Sequence, residues 1–478
     1  MQNILENQRT EPQRFSFLVL HKKLALVVFT LVLGAAGSIP LVFLTPPFQV
    51  PDEVQHFYRA YELSEFRIGA QVQNGQAGGT LPDSLPLLVR SSVYSADGIY
   101  YAAQPAPLGK TLSLASIPLD PLHAQFVAFP GSAFYSPLPY VPQLVGIAFG
   151  RIFRFPPLDL LYLGRLFNCL AALALLGLAV YVLPSGEELI ILIGHLPMSQ
   201  FLYASMSPDA AVIACALLFT ALSLAAAARG RWLPWELAVA VATAAVFCSV
   251  KPVYAPLLLT GLVPSLFSSL RFRDTIRSYA ILIAVPLGFT AAWMLFARSA
   301  MTTPLSGAHP SLQIRLVLHH PAVFLQALSH TLANGGIKTL SLETIGVFGW
   351  LTVPLHPKLI YLAPLAGFVV LCALGIRVTT HRSVARALCY FALAFASAIL
   401  VMGALYFMWS RVGQPSIAGV QGRYFIPVLI LFALAVVEVV PARRPSVRPW
   451  HSLAVVASVV VIQIIATDIT IVRAFHVF

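Results

Sequence analysis

Four ionisable side chains stand close together directly after the first long apolar run of the chain. Asp52 and Glu53 form an acidic pair, and His56 and Arg59 follow at helical spacing. A carboxylate can take a proton from a hydroxyl group, an imidazole can orient that carboxylate, and a guanidinium binds phosphate through two parallel N–H groups. We therefore treat Asp52, Glu53 and His56 as candidate catalytic residues and Arg59 as a candidate substrate-binding residue.

The surrounding residues predict a short helix that carries these side chains. Three prolines between residues 46 and 51 prevent a helix there, and an acidic residue such as Asp52 suits the first turn of the helix that follows. From that point one helix face is polar and consists of Asp52, Gln55, His56, Arg59 and Glu62. Glu53 points away from this face. The preference of helix starts for acidic residues is an alternative explanation for Asp52, and His56 could simply pair with it.

The composition indicates a polytopic membrane protein. Of the 478 residues 58% are hydrophobic and 10% are charged, whereas soluble domains carry about 25% charged residues. The formal charge of +12 comes from Lys and Arg residues in short clusters between apolar runs, so orientation in the membrane and anionic lipid explain it better than nucleic acid does. All five cysteines lie within apolar runs, which leaves no disulfide framework or zinc spacing.

The apolar runs predict an all-α fold with about eleven transmembrane helices, within a range of 10–13. The predicted spans are residues 24–44, 159–183, 188–206, 208–228, 233–250, 252–270, 278–298, 359–376, 387–409, 425–440 and 451–472. This arrangement divides the chain into an N-terminal segment 1–23, a first span 24–44, a large first loop 45–158, a bundle 159–298, a second loop 299–358 and C-terminal spans 359–478. Both large loops are expected to carry juxtamembrane or surface-lying helices, the second one at residues 312–332.

The distribution of positive charge sets the predicted orientation. Short basic loops at 229–231, 271–277, 377–386 and 443–448 must share the side of Lys22 and Lys23 if the positive-inside rule holds. Counting the apolar segment 137–153 as a span would move every later basic loop to the other side. We therefore predict a juxtamembrane or re-entrant helix there, a cytoplasmic N-terminus and two extracytoplasmic loops.

Two further charged residues lie at ends of predicted spans on the same outer side. Asp209 is preceded by Ser207 and Pro208, and because this sequence also favours a helix start, a structural role is the alternative to substrate binding. Lys251 lies in a very short turn between two predicted spans. Phosphate binding and simple snorkelling to the interface are the two explanations for it.

Arg423 lies at the outer end of the tenth predicted span, near Arg411. Positive charge on that side runs against the usual bias, so we predict that Arg423 binds a phosphate, with Arg411 as a second candidate. Gly419 and Gly422 beside it would let a ligand approach the backbone closely.

Four short motifs together resemble a known family. They are PDE at 51–53, YSPLPY at 135–140, SPD at 207–209 and QGRYF at 421–425. The chain resembles the bacterial multi-pass membrane proteins grouped as domain of unknown function 2142 and, through them, the GT-C superfamily of membrane glycosyltransferases. The second motif adds Tyr135 to the substrate-binding candidates.

The resemblance to GT-C proteins implies an inverting sugar transfer in the bacterial inner membrane. The donor would be a polyprenyl-phosphate sugar, the acceptor would lie on the outer face, and Asp52 would be the base with Glu53 as its neighbour or substitute. This chain has adjacent acids where the superfamily often has an acid-x-acid pair, so divalent metal use stays open, with Asp52, Glu53 and His56 as the nearest ligands. A transporter or flippase and a non-catalytic envelope-assembly protein are the alternatives.

Overall fold

The computed structural model describes residues 2–93, 108–266, 272–301, 307–333, 335–379, 382–441 and 449–476. Helices dominate these ranges because the apolar runs satisfy their backbone hydrogen bonds internally. The helices of the first half are α1 Gln2–Leu44, α2 Glu53–Ser64, α3 Ser84–Val93, α4 Leu108–Ser113, α5 Val141–Ile152, α6 Pro157–Val182, α7 Glu187–Gly194, α8 Pro197–Tyr203, α9 Asp209–Arg229 and α10 Pro234–Val250. Those of the second half are α11 Leu262–Leu266, α12 Phe272–Phe296, α13 Pro310–His319, α14 Ala322–Leu332, α15 Gly336–Gly346, α16 Ala363–Ala373, α17 Val384–Met408, α18 Ile426–Val437 and α19 Pro449–Phe475.

Six helices in the described ranges are long and apolar enough to cross a membrane. They are residues 20–44 of α1, α6, α9, residues 276–296 of α12, α17 and residues 450–475 of α19. Four other predicted spans correspond to shorter apolar helices, at 234–250, 252–266, 358–373 and 422–437. A mostly helical membrane protein is therefore confirmed, whereas the count of eleven spans is not.

Two predicted spans are broken by proline. The segment 188–206 consists of α7 and α8, because Pro197 starts a new helix after a break at His195 and Leu196. The segment 252–270 begins with a 3₁₀ helix at Pro252–Leu259 and continues into the short α11. In both segments proline removes an N–H group from the helical ladder, and a single continuous helix does not form.

Contacts between helix termini define the two ends of the bundle. At one end His476, just after α19, donates from Nε2 to the Leu44 carbonyl at 2.8 Å, and α9 starts beside the end of α10. At the opposite end Lys23 of α1 contacts the Leu183 carbonyl and Glu187. We call the end that contains Leu44, Asp209 and Val250 the site end. Of the predicted basic loops, Arg271 of 271–277, residues 380–381 of 377–386 and the whole of 443–448 lie outside the described residues.

The first loop folds over the site end around a small antiparallel sheet. Strands β1 Gln71–Gln73, β2 Gln76–Pro82 and β3 Ala124–Ala128 pair in the order β1-β2-β3. Asn74 and Gly75 connect β1 to β2 with positive φ at both positions, the backbone that a two-residue hairpin of this type needs. An apolar core that includes Phe57, Tyr61 and Phe129 joins this sheet to α2. The sheet is a departure from the all-α expectation.

The predictions for two juxtamembrane segments agree with the structure to different degrees. The apolar segment 137–153 forms a short 3₁₀ turn and α5, which is about 18 Å long and so shorter than the ~30 Å of hydrocarbon. In the second loop the expected single helix over 312–332 is two helices, α13 and α14, because Pro321 interrupts it. The loop continues through α15 into a two-stranded sheet, β4 Val347–Phe348 and β5 Val353–Pro354.

Candidate functional site

Four charged side chains meet at the site end. An Asp52 carboxylate oxygen lies 3.0 Å from Nη2 of Arg423, and an Asp209 oxygen lies 3.5 Å from Nε of the same arginine. The other Asp209 oxygen accepts a hydrogen bond from Lys251 Nζ at 2.6 Å. Two carboxylates and two positively charged side chains therefore alternate in one series of contacts. We call Asp52, Arg423, Asp209 and Lys251 the charged cluster.

Each member of the charged cluster comes from the end of a different element. Asp52 precedes α2, Asp209 is the first residue of α9, and Lys251 follows α10. Arg423 lies in a 3₁₀ helix at Gly422–Phe425 directly before α18, which we call the Arg423 turn. Four residues that are far apart in sequence therefore converge at one end of the bundle. Asp209 also complements the N-terminus of its helix.

Asp52 adopts a strained backbone that presents its carboxylate to solvent. Its φ and ψ are 64° and 4°, in the left-handed region, and it is the residue before α2 rather than part of the first turn as expected. Aspartate tolerates this region better than most residues but still at a cost. The side chain is 44% exposed, whereas that of Arg423 is 4% exposed. An incoming ligand can therefore reach the Asp52 carboxylate.

Glu53 has a different environment although it is the next residue. Its side chain is fully buried and both of its oxygens bind Arg165 of α6, Oε1 to Nε at 2.8 Å and Oε2 to Nη2 at 2.6 Å. The backbone N–H groups of Phe48 and Met206 also donate to it. We no longer propose Glu53 as a substitute base, because each of its carboxylate oxygens already accepts two hydrogen bonds from the protein.

Arg165 extends this buried pair into the backbone. Its Nη1 donates to the carbonyls of Val42 and Thr45, and its Nη2 donates to that of Pro46. The guanidinium thus holds the end of α1 and the start of the proline-rich link to α2. This buried network fixes the backbone immediately before and after Asp52.

Some N–H groups of the Arg423 guanidinium make no hydrogen bond within the described residues. Within the described part of the chain, its buried Nη1 has no hydrogen-bond acceptor, and its buried Nε faces the Asp209 oxygen at 3.5 Å without making a hydrogen bond. The centre of the Tyr424 ring lies 3.9 Å from Lys251 Nζ and 5.3 Å from the Arg423 guanidinium carbon, so the ring packs against both cations. An unused guanidinium N–H beside an ammonium group can bind an anion such as phosphate.

Helix α15 holds the Arg423 turn by the backbone of one glycine. The Gly422 N–H donates to Glu343 Oε2 at 2.7 Å, and the Gly422 carbonyl accepts from the Thr344 hydroxyl at 2.9 Å. A Cβ atom on Gly422 would overlap the Leu340 carbonyl and the Thr344 nitrogen. The expectation that Gly422 makes room for a ligand is wrong, since α15 fills that space. Trp409 fills the space at Gly419 in the same way.

His56 lies behind the charged cluster in an uncharged form. Its Nδ1 is 2.7 Å from the Tyr140 hydroxyl, and its ring stacks on Tyr135 with centroids 6.0 Å apart. Burial lowers the pKa of His56 to about 4, although the nearby Asp52 and Asp209 carboxylates act in the opposite direction. Burial together with those carboxylates raises the pKa of Tyr135, so its hydroxyl keeps its proton at neutral pH.

Two other predicted substrate-binding residues do not join the charged cluster. Arg59 is fully buried, where it pairs with Glu62 and donates from Nη2 to the Ile68 carbonyl at 2.8 Å and the Tyr135 carbonyl at 3.0 Å. These bonds assign Arg59 a structural role in shaping the loop. Arg411 is exposed in the segment after α17, and among the described residues no ion pair joins it to the charged cluster.

The charged cluster is a poor fit for a divalent metal. In the described ranges no group of three or more His, Cys, Asp and Glu side chains is arranged to hold a metal ion. The two carboxylates already face Arg423 and Lys251, and a metal between them would meet these two positive charges directly. We therefore derive no step through a metal.

Three residues that position the site were missed in the sequence. Arg165 could have been predicted, because an arginine inside a predicted span needs a buried acidic partner and Glu53 was one candidate. Tyr424 stood within the QGRYF motif but looked like an ordinary interfacial aromatic residue. Glu343 gave no signal, since nothing in its local sequence indicates contact with a glycine 79 positions away.

The fold and site define a helical membrane protein with a partly exposed charged cluster at one end of its bundle. Residues 38–432 match the family described as predicted membrane protein (DUF2142), so the chain belongs to that family. No curated protein and no solved structure matches it. The resemblance to this family is confirmed, and GT-C membership stays a prediction.

Proposed function

We propose that this protein is a GT-C-type glycosyltransferase of the bacterial inner membrane. It transfers a sugar from a polyprenyl-phosphate donor to a hydroxyl acceptor on the extracytoplasmic face. The observation that carries the proposal is the contact of the half-exposed Asp52 carboxylate with Arg423, whose Nη1 has no acceptor among the described residues. A base and a phosphate-binding group thereby stand side by side.

The proposed step is a single displacement. The acceptor oxygen bonds to the anomeric carbon as the bond from that carbon to the phosphate oxygen breaks, and Asp52 takes the acceptor proton. The products are the glycosylated acceptor and the polyprenyl phosphate, and the anomeric configuration inverts. A positioned carboxylate contributes roughly 10² to 10⁴ to the rate of such a proton transfer.

The leaving phosphate needs positive charge. Arg423 offers a buried N–H, and Lys251 offers an ammonium group that is 20% exposed and donates to Asp209. Negative charge that develops on the phosphate oxygen would draw these donors away from the carboxylates and onto the ligand. Asp209 then holds Lys251 and Arg423 at a fixed separation while no substrate is bound.

The test is transfer by purified protein from a panel of polyprenyl-phosphate sugars, measured as release of the free carrier. Asp52→Asn is expected to lower the rate at least about a hundredfold. Asp120→Asn, which changes an exposed acid of the same loop that contacts His123 and the Leu122 backbone N–H, is the matched control and keeps full activity. Full transfer by Asp52→Asn would reject the assigned base, and no release from any donor would reject the activity.

The proposed orientation is tested separately by cysteine labelling. Leu122 is 92% exposed in the first loop, and Arg231 is exposed in the turn between α9 and α10. In a cysteine-free background, a membrane-impermeant maleimide should label Leu122→Cys on intact spheroplasts and Arg231→Cys only after permeabilisation. The reverse pattern would place the charged cluster in the cytoplasm, where it would not meet an extracytoplasmic acceptor.

A further inference from the structure

An apolar cavity lies beside α18, and none of the four residues of the charged cluster lines it. Its volume is about 680 Å³, and it is lined by α7, α14, α15, α16, α17 and α18. The lining extends from Phe425, the residue directly before α18, along that helix to Val436, about 16 Å at the helical rise. The walls are almost entirely side chains of Leu, Ile, Val, Phe, Met and Ala. A cavity of this shape and chemistry fits a hydrocarbon chain.

The cavity faces the surroundings of the bundle between α16 and α17. Leu365 of α16 and Phe395 of α17 line it and are 60% and 56% exposed. On a helical bundle of this composition, exposed apolar side chains on the apolar helices face lipid rather than water. A chain from the bilayer can therefore enter sideways.

One end of the cavity reaches the element that carries Arg423. Phe425 lines the cavity and is the last residue of the Arg423 turn, about 4 Å along the 3₁₀ axis from Arg423. Thr344 lines the cavity too, and its hydroxyl binds the Gly422 carbonyl of that turn. The same two elements thus form the end wall of the cavity and the support of the guanidinium.

The positive charges of Arg423 and Lys251, near the Phe425 end of the cavity, favour a lipid with an anionic head group. Arg423 has a buried Nη1 without an acceptor in the described residues, and Lys251 lies next to it on the Tyr424 ring. A neutral lipid would leave this donor unpaired, whereas a phosphate accepts from both cations. Charge complementarity therefore favours a ligand with one anionic end and one long apolar tail.

We propose that this cavity binds the hydrocarbon chain of the polyprenyl phosphate, with the phosphate of that lipid at Arg423 and Lys251. The identity of the lipid rests on the proposed function, whereas the existence of a chain-binding site does not. Occupation of the cavity presses on α15 and Phe425, the two elements that fix the Arg423 turn. Chain binding is thereby linked to the position of the phosphate-binding guanidinium.

The experiment measures binding of a long-chain polyprenyl phosphate to the purified full-length protein in detergent, by native mass spectrometry. Ala398→Phe places a ring in the cavity and is expected to weaken binding at least about tenfold, about 1.4 kcal/mol, because the ring occupies space that the hydrocarbon chain would fill. Ala392→Phe, on an exposed face of the same helix outside the cavity, is the control and binds as the unchanged protein does.

Two further ligands separate the tail from the head group. Ala398→Phe should weaken binding of the corresponding polyprenol, which has no phosphate, by the same factor. Arg423→Gln should weaken binding of the polyprenyl phosphate but not binding of the polyprenol. Equal binding to Ala398→Phe and to the unchanged protein overturns the proposal. Equally tight binding of phosphatidylglycerol also overturns it, because the cavity would then hold bulk membrane lipid.

Photo-crosslinking keeps the proposal testable if Ala398→Phe does not fold. A polyprenyl phosphate with a photoreactive tail should label α17 and α18 of the unchanged protein, and labelling spread evenly over the lipid-facing helices contradicts the site. Failure of the proposed function is distinguishable from these outcomes. It would appear as absence of transfer while binding still depends on Ala398 and while Asp52→Asn still binds normally.

Discussion

Asp52 and Glu53 are neighbours in sequence and opposites in environment. Glu53 is fully buried and receives hydrogen bonds from Arg165 and from two backbone N–H groups. Asp52 is 44% exposed and shares Arg423 with a second carboxylate. In the pair of Glu53 and Arg165, all carboxylate acceptor positions are occupied by protein donors. The pair of Asp52 and Arg423 leaves hydrogen-bond donors and acceptors available.

This difference separates an ion pair that holds the fold from one that can bind a ligand. A buried charge must have its hydrogen bonds completed by the protein, since no water reaches it. A partly exposed charge can exchange its partner for a ligand at little cost. The network of Glu53 and Arg165 also fixes the strained backbone of Asp52, so the first pair makes the second one possible.

The largest effect is expected on the buried pair. Glu53→Gln leaves Arg165 buried without its counter-charge and should lower the free energy of unfolding by about 3–5 kcal/mol. Thermal unfolding in detergent measures this loss. The double variant Glu53→Leu with Arg165→Met should recover only part of it, because Arg165 also binds three backbone carbonyls. A single variant as stable as the unchanged protein would show that the pair does not hold the fold.

His56 should make stability depend on pH. Its pKa is lowered from about 6.5 to about 4 by burial, so below pH 6.5 the unfolded chain binds a proton that the folded chain rejects. Stability should therefore fall as the pH drops from 6.5 towards 4, by about 3 kcal/mol in total. Unfolding midpoints at pH 7 and pH 4.5 should differ less for His56→Gln than for the unchanged protein. Replacement of the exposed His123 by Gln should not reduce that difference.

Gly422→Ala tests how α15 holds the Arg423 turn. The added methyl group would overlap the Leu340 carbonyl and should cost about 1–3 kcal/mol of stability, with weaker binding of polyprenyl phosphate as Arg423 moves. Thermal unfolding and native mass spectrometry measure the two effects. Gly288→Ala, on a helix face with open space around it, is the matched control and should not destabilise. Unchanged binding by Gly422→Ala would separate α15 from the site.

The smallest effect on stability is expected for Asp52→Asn. Because the Asp52 carboxylate is partly exposed and the buried Arg423 keeps Asp209 as a counter-charge, loss of the pair should change the free energy of unfolding by less than about 1 kcal/mol. The same thermal unfolding assay measures it beside Glu53→Gln. A destabilisation as large as that of Glu53→Gln would remove the contrast between the two acids.

The sequence predicted helices well where the apolar runs were long and unbroken. The helices α6, α9, α17 and α19 begin and end within a few residues of the predicted spans. It predicted poorly where proline divided a run, as in α7 and α8, since hydrophobicity alone does not show where one helix ends and the next begins. The sheet of the first loop was missed although Asn74 and Gly75 are a hairpin signal.

By itself the sequence determined that this is a membrane protein and that charged residues gather near the ends of its apolar runs. Apolar length and charge are properties of local sequence, so they can be read directly. Only the tertiary structure decided which charges pair, because Asp52 meets a guanidinium 371 residues away while Glu53 meets one 112 residues away. Which acid is buried depends on the packing of α6 and the Arg423 turn around α2, and no local pattern records that packing.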